Sequence, residues 1–528
     1  MPEVRVTAGV VRGRVEAGLA VFRGIPYAAP PVGVNRFGAP RPVERWDGTR
    51  AAVSFGPPVP QSEVLGRDAA READDGDWLT LNVWSPALDP AAGLPVLVWI
   101  YGGGYAVGMS SRPEYDGGHL ARDGQVVLVT FNYRLGVEGF AHLAGAPDNR
   151  GLLDQVAALE WVRDNIAAFG GDPGRVTVFG ESAGAGSVAA LLAMPRAAGL
   201  FRGAVAQSVP GTFFSRELAA DVATACAAEL GLRPTVADLA EVDPALLVLA
   251  GDAAVAEPPD RWGQAGYRSI GFAPVVDGDT LPDTPWRAVA AGSARDVVLL
   301  TGHTRDEQRL FTAMAGLLGQ VTAGQAATAL DMLAPGPDGA RRYREAYPEA
   351  GPERLYELVH SDWLFRMPSL RLADAQVAAR GRAFLYELSW PAPGMGGVLG
   401  ACHGLDVPLV FGNLTSGQPA LLLGDRGGRR GDGGDRRGDE SERSVDGIAE
   451  PGDDTARPVD EAAVLSARMR AAWTAFAADG DPGWPAYTAD RRSTRIFDVP
   501  DAVAAYPEER SRLIWAGHDF PPLTRSLQ

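Results

Sequence analysis

The chain has 528 residues, 46% hydrophobic and 22% charged, proportions of an ordinary globular protein that exclude a collagen-like, disulfide-scaffold or wholly disordered chain. Its formal net charge of −17 repels nucleic acid, and no basic stripe offsets it. No run approaches the roughly 18 uncharged apolar residues of a membrane span, and Met1-Pro2-Glu3-Val4-Arg5 shows no basic-then-apolar leader, so a cytoplasmic protein is expected.

All 49 basic residues are arginine, which excludes a Schiff-base or general-base lysine. Cys226 and Cys402 are the only cysteines, too few for a disulfide framework or a zinc site. Reduced, inert thiols are expected. At this length one continuous α/β core is expected over 1–528, despite a prior of several domains.

In chain order, the first sixty residues are short extended pieces punctuated by Gly24-Ile25-Pro26-Tyr27-Ala28 and Pro30-Pro31-Val32-Gly33. Leu94 to Ile100 reads as a buried strand that empties into Tyr101-Gly102-Gly103-Gly104. Val126 to Phe131 reads as another strand. Residues 151–169 carry helical spacing of Leu152, Val156, Leu159, Val162 and Ile166. Val176 to Phe179 is a short strand, and Ser182 to Met194 a helix rich in Ala and Leu. Val297 to Thr301 and Ala383 to Leu388 read as later strands of the same sheet. Alternating strands and helices predict a mostly parallel sheet with helices on both faces. Residues 424–458 are rich in Gly, Arg and Asp with almost no large apolar side chain. They are expected to form a disordered surface spacer, because they cannot bury enough surface to offset the entropy of ordering.

Gly180-Glu181-Ser182-Ala183-Gly184 lies between a strand and a helix, the setting in which a G-x-S-x-G run makes a nucleophile elbow. So tight a reversal forces the serine into strained angles and projects its hydroxyl over a helix N-terminus. The triple glycine 102–104 follows a buried strand, where unencumbered N–H groups can meet an alkoxide. Gly103, Gly104 and Ala183 are the candidate donors. Serine needs a base, and the base an orienting acid. In sheets of this kind both follow the nucleophile, the acid first. That order removes His119 and His142. Of His303, His360, His403 and His518, His403 stands in the glycine-flanked turn Gly400-Ala401-Cys402-His403-Gly404. Asp306 and Glu307 both qualify as the acid.

Taken together, these runs resemble the type-B carboxylesterases, a family of carboxylesterases and cholinesterases with the α/β-hydrolase fold, and its bacterial p-nitrobenzyl esterases most of all. Phe169-Gly170-Gly171-Asp172-Pro173 through Gly184 is similar to the family's serine signature, Cys402-His403-Gly404-Leu405-Asp406 to its histidine motif, and Arg305-Asp306-Glu307 to its acid motif. Gly24 to Ala28, Asn132 to Gly136, Gly151 to Gln155 and Trp161-Val162 resemble further landmarks, as do Trp473, Phe476 and Gly480-Asp481-Pro482. The resemblance spans roughly residues 5 to 500. It implies an α/β-hydrolase sheet with cap-like helical insertions around a gorge, and a triad of Ser182, Glu307 and His403. Ser208 resembles a serine that hydrogen-bonds near that triad, and Glu181, which precedes the nucleophile, is expected to be structural rather than catalytic.

No metal or organic cofactor is implied. The expected partner is a small uncharged ester of short to medium chain, with no nucleic acid and no membrane. A monomer or small homo-oligomer is expected. Tyr105, Trp363, Phe365 and Met367 are candidate pocket walls. The position resembling the cholinesterase tryptophan is Asp68, and residues 64–77 hold no aromatic side chain, which disfavours choline esters. Amide or carbamate cleavage by the same triad, and a non-catalytic adhesion role, are the alternatives.

The departures from the family are Gly76 to Leu79 and Val59, which lack both cysteines of a usual disulfide. The acidic partner expected for Arg36 is also lacking and so absent or moved. Val209 and Gln308 stand where the family has glycine.

Overall fold

The computed structural model describes residues 1–62, 76–415, 417, 419–424 and 457–526. The loop expected at 424–458 therefore lies outside the described residues except for its ends. Most of the aromatic-free stretch 64–77, with Asp68, lies outside them too.

Eleven strands form one sheet: β1 (Arg14–Glu16), β2 (Leu19–Pro26), β3 (Thr80–Ser85), β4 (Leu94–Ile100), β5 (Val127–Phe131), β6 (Gly171–Glu181), β7 (Gly203–Gln207), β8 (Val298–Thr304), β9 (Ala383–Leu388), β10 (Ser493–Phe497) and β11 (Ala502–Ala505). Their spatial order is β11-β10-β9-β8-β7-β6-β4-β5-β3-β2-β1. The run from β10 to β5 is parallel, and the flanks at both ends are antiparallel. A small three-stranded sheet (Glu3–Val6, Gly9–Arg12, Thr49–Ala51) stands apart at the N-terminus.

The central strands are buried on both faces, so they are continuous apolar runs rather than alternating ones. Residues 95–100 of β4 and all of β5, β7 and β9 are buried. Flanking helices include α1 (Arg150–Asn165), α2 (Ala183–Ala193), α3 (Glu307–Met314), α4 (Pro352–Ser361), α5 (Met367–Ala378), α6 (Asp406–Phe411) and α7 (Arg457–Asp479). Between β4, β6 and α6, Trp99 packs at 4.8 Å on Phe179 and at 5.0 Å on Phe411. Arg134 grips Asp154 of α1 at 2.7 Å, with both side chains fully buried. Removing one partner of such a pair costs roughly 3–5 kcal/mol.

The strand expected at Val176 to Phe179 is longer. β6 starts at Gly171, because Gly171 pairs with Leu94 through a register irregularity that carries the Asp172-Pro173-Gly174 turn inside the strand. The helix expected over 151–169 ends at Asn165 and tightens into a 3₁₀ turn over Ile166–Phe169. The family's disulfide position holds Val59 and Trp78, both buried, so apolar packing stands in its place. Arg36 has moved its partner to Glu138, 2.6 Å away, and also donates to the carbonyls of Ala240 and Val242. Both cysteines are unpaired and buried. Among the described residues no helix is long and apolar enough to cross a membrane.

Strands β4, β6, β7 and β8 are parallel neighbours, so the chain leaves all four at one edge of the sheet. Tyr101 to Gly104, Ser182, Ser208 and the 304–307 turn emerge there side by side. That edge is where open α/β sheets gather their reactive groups.

Candidate active site

Ser182 stands between β6 and α2 with φ 56° and ψ −127°, a conformation that costs a non-glycine residue of order 1–3 kcal/mol. Packing holds it there. Its N–H donates to the Gln207 carbonyl at 3.0 Å, and its carbonyl accepts from Gly186 at 2.9 Å. A Cβ on Gly184 would run into the Ile100 carbonyl, and one on Gly180 would lie 2.6 Å from the Gly184 backbone. The two glycines of the pentapeptide are thus spacers that let β4, β6 and α2 meet.

Gly103 and Gly104 turn with φ 118° and 62°, and the Gly103 carbonyl accepts from the N–H groups of Ala106 and Val107. Among the described residues, the N–H groups of Gly103, Gly104 and Ala183 donate to no protein acceptor. Three unspent backbone donors thus flank the elbow.

Of the two acids left open by the sequence, Glu307 reaches the imidazole. One of its oxygens lies 2.5 Å from His403 Nδ1, and the other accepts from Ser208 Oγ at 2.6 Å and from the Thr304 N–H at 2.9 Å. Burial opposes its ionisation, but His403 and the Ser208 hydroxyl outweigh that and hold Glu307 below its ordinary value. Asp306 does something else. Its N–H donates to the Ala401 carbonyl at 2.8 Å, and its carboxylate accepts from the Ala401 N–H at 3.1 Å. It ties the acid turn to the turn that carries His403.

The second imidazole nitrogen, Nε2, faces Glu181, whose carboxylate is 3.1 Å away. The hydrogen bonds among the described residues include none between Ser182 Oγ and the ring. Burial disfavours a charged imidazole, yet the carboxylates of Glu181 and Glu307 prevail and push His403 up to about 9. Burial pushes Glu181 up to about 8, with Asp406 and Glu307 adding to it and His403 opposing. Groups this close share protons as a set rather than one by one. Behind them Asp406, also raised by burial, accepts from Gln207 Nε2 at 2.9 Å and Tyr386 Oη at 2.8 Å.

Phe365 lies on the imidazole, with centroids 4.2 Å apart and planes 24° apart, and Phe311 packs on it at 5.2 Å. Phe365 belongs to a π-helical turn over Asp362–Arg366 between α4 and α5, a geometry frequent at functional sites. The other three candidate wall residues do not stack on the imidazole. Tyr105 packs against Phe140 at 4.7 Å, with its hydroxyl toward Gly186 of α2. Trp363 and Met367 are buried on either side of Phe365 in the chain. Phe311, Asp406, Gln207 and Tyr386 were not singled out from sequence. Phe311 had a readable signal, one helical turn after Glu307, whereas the other three depend on tertiary contacts.

A model of the Carboxylesterase family matches residues 1–423. The para-nitrobenzyl esterase of Bacillus subtilis is 37% identical over 520 residues, 96% of each chain. The phenmedipham hydrolase of Pseudarthrobacter oxydans is 37% identical over 79% of this chain and 84% of its own. A crystal structure of a Geobacillus stearothermophilus carboxylesterase superposes with a TM-score of 0.81 at 35% identity, covering 98% of this chain and 100% of that one. A PNB esterase structure gives 0.80 at 36% identity, covering 97% and 99%. Sequence, length and sheet agree throughout: the chain belongs to the carboxylesterase family and is a carboxylic ester hydrolase with the α/β-hydrolase fold.

Proposed function

We propose that Ser182 is the nucleophile, His403 its general base and Glu307 the acid that orients the imidazole. The neutral imidazole moves from Glu181 toward the neighbouring Ser182 and takes the hydroxyl proton as Oγ attacks the ester carbonyl. The N–H groups of Gly103, Gly104 and Ala183 then receive the oxyanion. The C–O bond breaks as His403 returns the proton to the leaving alcohol, and a water activated by the same imidazole releases the acyl group. Ser208 and the Thr304 N–H keep Glu307 ionised through the cycle. The observation that supports this reading is the 2.5 Å contact of His403 Nδ1 with Glu307, which leaves Nε2, now beside Glu181, as the nitrogen to accept the Ser182 proton.

Phe311 and Phe365 make the surroundings of the imidazole apolar. The reacting part of the substrate is therefore uncharged and moderately apolar, with a short to medium acyl chain. A p-nitrophenyl ester series from acetate to decanoate, run on wild type and Ser182→Ala, tests this. The expected outcome is an optimum at short to medium length and a loss of about a thousandfold or more in the variant. Activity that survives Ser182→Ala rejects the nucleophile.

A further inference from the structure

Buried arginines in this chain have clear partners. Arg134 has Asp154, Arg366 has Asp362 and Glu508, Arg36 has Glu138, and Arg150 is surrounded by carbonyls. Arg268, half-buried with its Nε enclosed, does not follow the rule. It caps the short helix Gly263–Tyr267, and its guanidinium carbon stands 6.0 Å over the Phe311 ring. Its acceptor among the described residues is a neutral one, Gln308 Oε1, 3.2 Å from Nη2. Its Nε is buried without an acceptor, and no carboxylate of the described residues makes an ion pair with it. A shortage of acids does not explain this, since the chain has 66 of them against 49 arginines. Burial pulls the Arg268 pKa down, the mark of a charge whose lost hydration has not been replaced.

Position matters as much as the missing partner. The Phe311 ring is 6.0 Å from the guanidinium carbon and 5.2 Å from the His403 ring, so the cation is one aromatic ring from the proposed base. Gln308, which holds it, directly follows Glu307 and replaces the glycine expected from the family resemblance. The side chains that act on its charge are the phenols of Tyr356 and Tyr267 rather than a carboxylate. Tyr267, Tyr356 and His360 form a ring cluster, and burial pulls His360 down to about 3.

We propose that Arg268 is a specificity-determining residue that binds a carboxylate on the remote part of the ester. The proposal rests on the ester-hydrolase reading above and narrows its substrate: the reacting end is apolar, and the far end carries a negative charge. The carboxylate could sit on the acyl chain, as in half-esters of dicarboxylic acids, or on the leaving alcohol. Two probe pairs distinguish these. One is a set of mono-p-nitrophenyl esters of linear dicarboxylic acids, each beside its ω-carboxamide counterpart. The other is 4-acetoxybenzoate beside 4-acetoxybenzamide.

The quantity measured is the ratio of kcat/KM for the charged probe to that for the neutral probe, in wild type and in Arg268→Met. For one pair the wild-type ratio is expected to exceed one and to fall with added salt. It should drop by about fivefold or more in the variant, mainly through KM, and Arg268→Lys should recover part of it. A wild-type ratio at or below one for both pairs, or a smaller drop in the variant, overturns the proposal. Should Arg268→Met not fold, Arg268→Lys and the salt dependence of the wild-type ratio decide in its place. Failure of the wild-type enzyme to turn over the neutral probes would count against the ester-hydrolase reading instead.

Discussion

In the proposed mechanism His403 must shed its proton before it acts, and two carboxylates hold that proton on the ring. Because Glu181 and Glu307 raise the imidazole to about 9, kcat/KM on p-nitrophenyl butyrate should climb with pH up to that region and fall steadily below it. Glu181→Gln removes one carboxylate and keeps the shape. The acidic limb is then expected to move down by roughly one pH unit, and an unmoved limb would show that Glu181 does not bear on the imidazole. Much of what the structure gathers at this candidate site was legible in the sequence, since Ser182, His403 and the glycines stand in motifs whose order follows from the proposed reaction. The choice between Asp306 and Glu307 was not legible from residue chemistry, and only the family resemblance pointed to Glu307. Adjacent acids look alike in a string, and only the start of α3 at Glu307 turns one toward His403 and the other toward Ala401. Nor was Glu181 legible as a direct neighbour of the ring, because a strand-end residue shows no side-chain direction until its partner turn is in place.

The π-helical turn at Asp362–Arg366 shows how an element serves the site. Arg366 is clamped between Asp362, at 3.0 Å, and Glu508, at 2.6 Å, and Tyr343 donates to Asp362 at 2.6 Å. This buried anchor sets the height of Phe365, next in the chain, against the imidazole. Phe365→Ala opens space over the ring. It should cost about 3 kcal/mol or more in thermal unfolding and lower kcat on p-nitrophenyl butyrate by about tenfold or more through lost positioning of His403. Wild-type kcat in a folded Phe365→Ala variant would show that the ring only fills space. Strands such as Leu94–Ile100 and Ala383–Leu388 were readable to the residue, because burial on both faces makes them unbroken apolar runs between turn signals. The π turn was not, since its sequence has ordinary helical character and one extra residue per turn leaves no local mark.

Across the whole chain, the sheet order places residues far apart in sequence at one edge, with 99 positions between Ser208 and Glu307 and 96 between Glu307 and His403. The central crossover pattern could be anticipated from alternating strands and helices. The antiparallel flanks could not, since β1 and β11 are short and largely exposed and carry little apolar signal. α7 begins at Arg457, so the charged insert can be cut back to that point. Replacing residues 425–456 by a short Gly/Ser linker is expected to keep turnover within about twofold, because loop length enters stability only logarithmically. A collapse of activity would give that segment a role in the reaction.

The backbone at Ser182 has one more implication. Its φ of 56° and ψ of −127° belong to a region that glycine enters without penalty. With Ser182 as the proposed nucleophile, Ser182→Gly should therefore abolish hydrolysis and yet melt at a higher temperature than wild type, by the roughly one degree that about 1 kcal/mol brings in a protein of this size. The inert variant would outlast the working one, so a catalytic hydroxyl at this bend is expected to be held at the expense of thermal endurance.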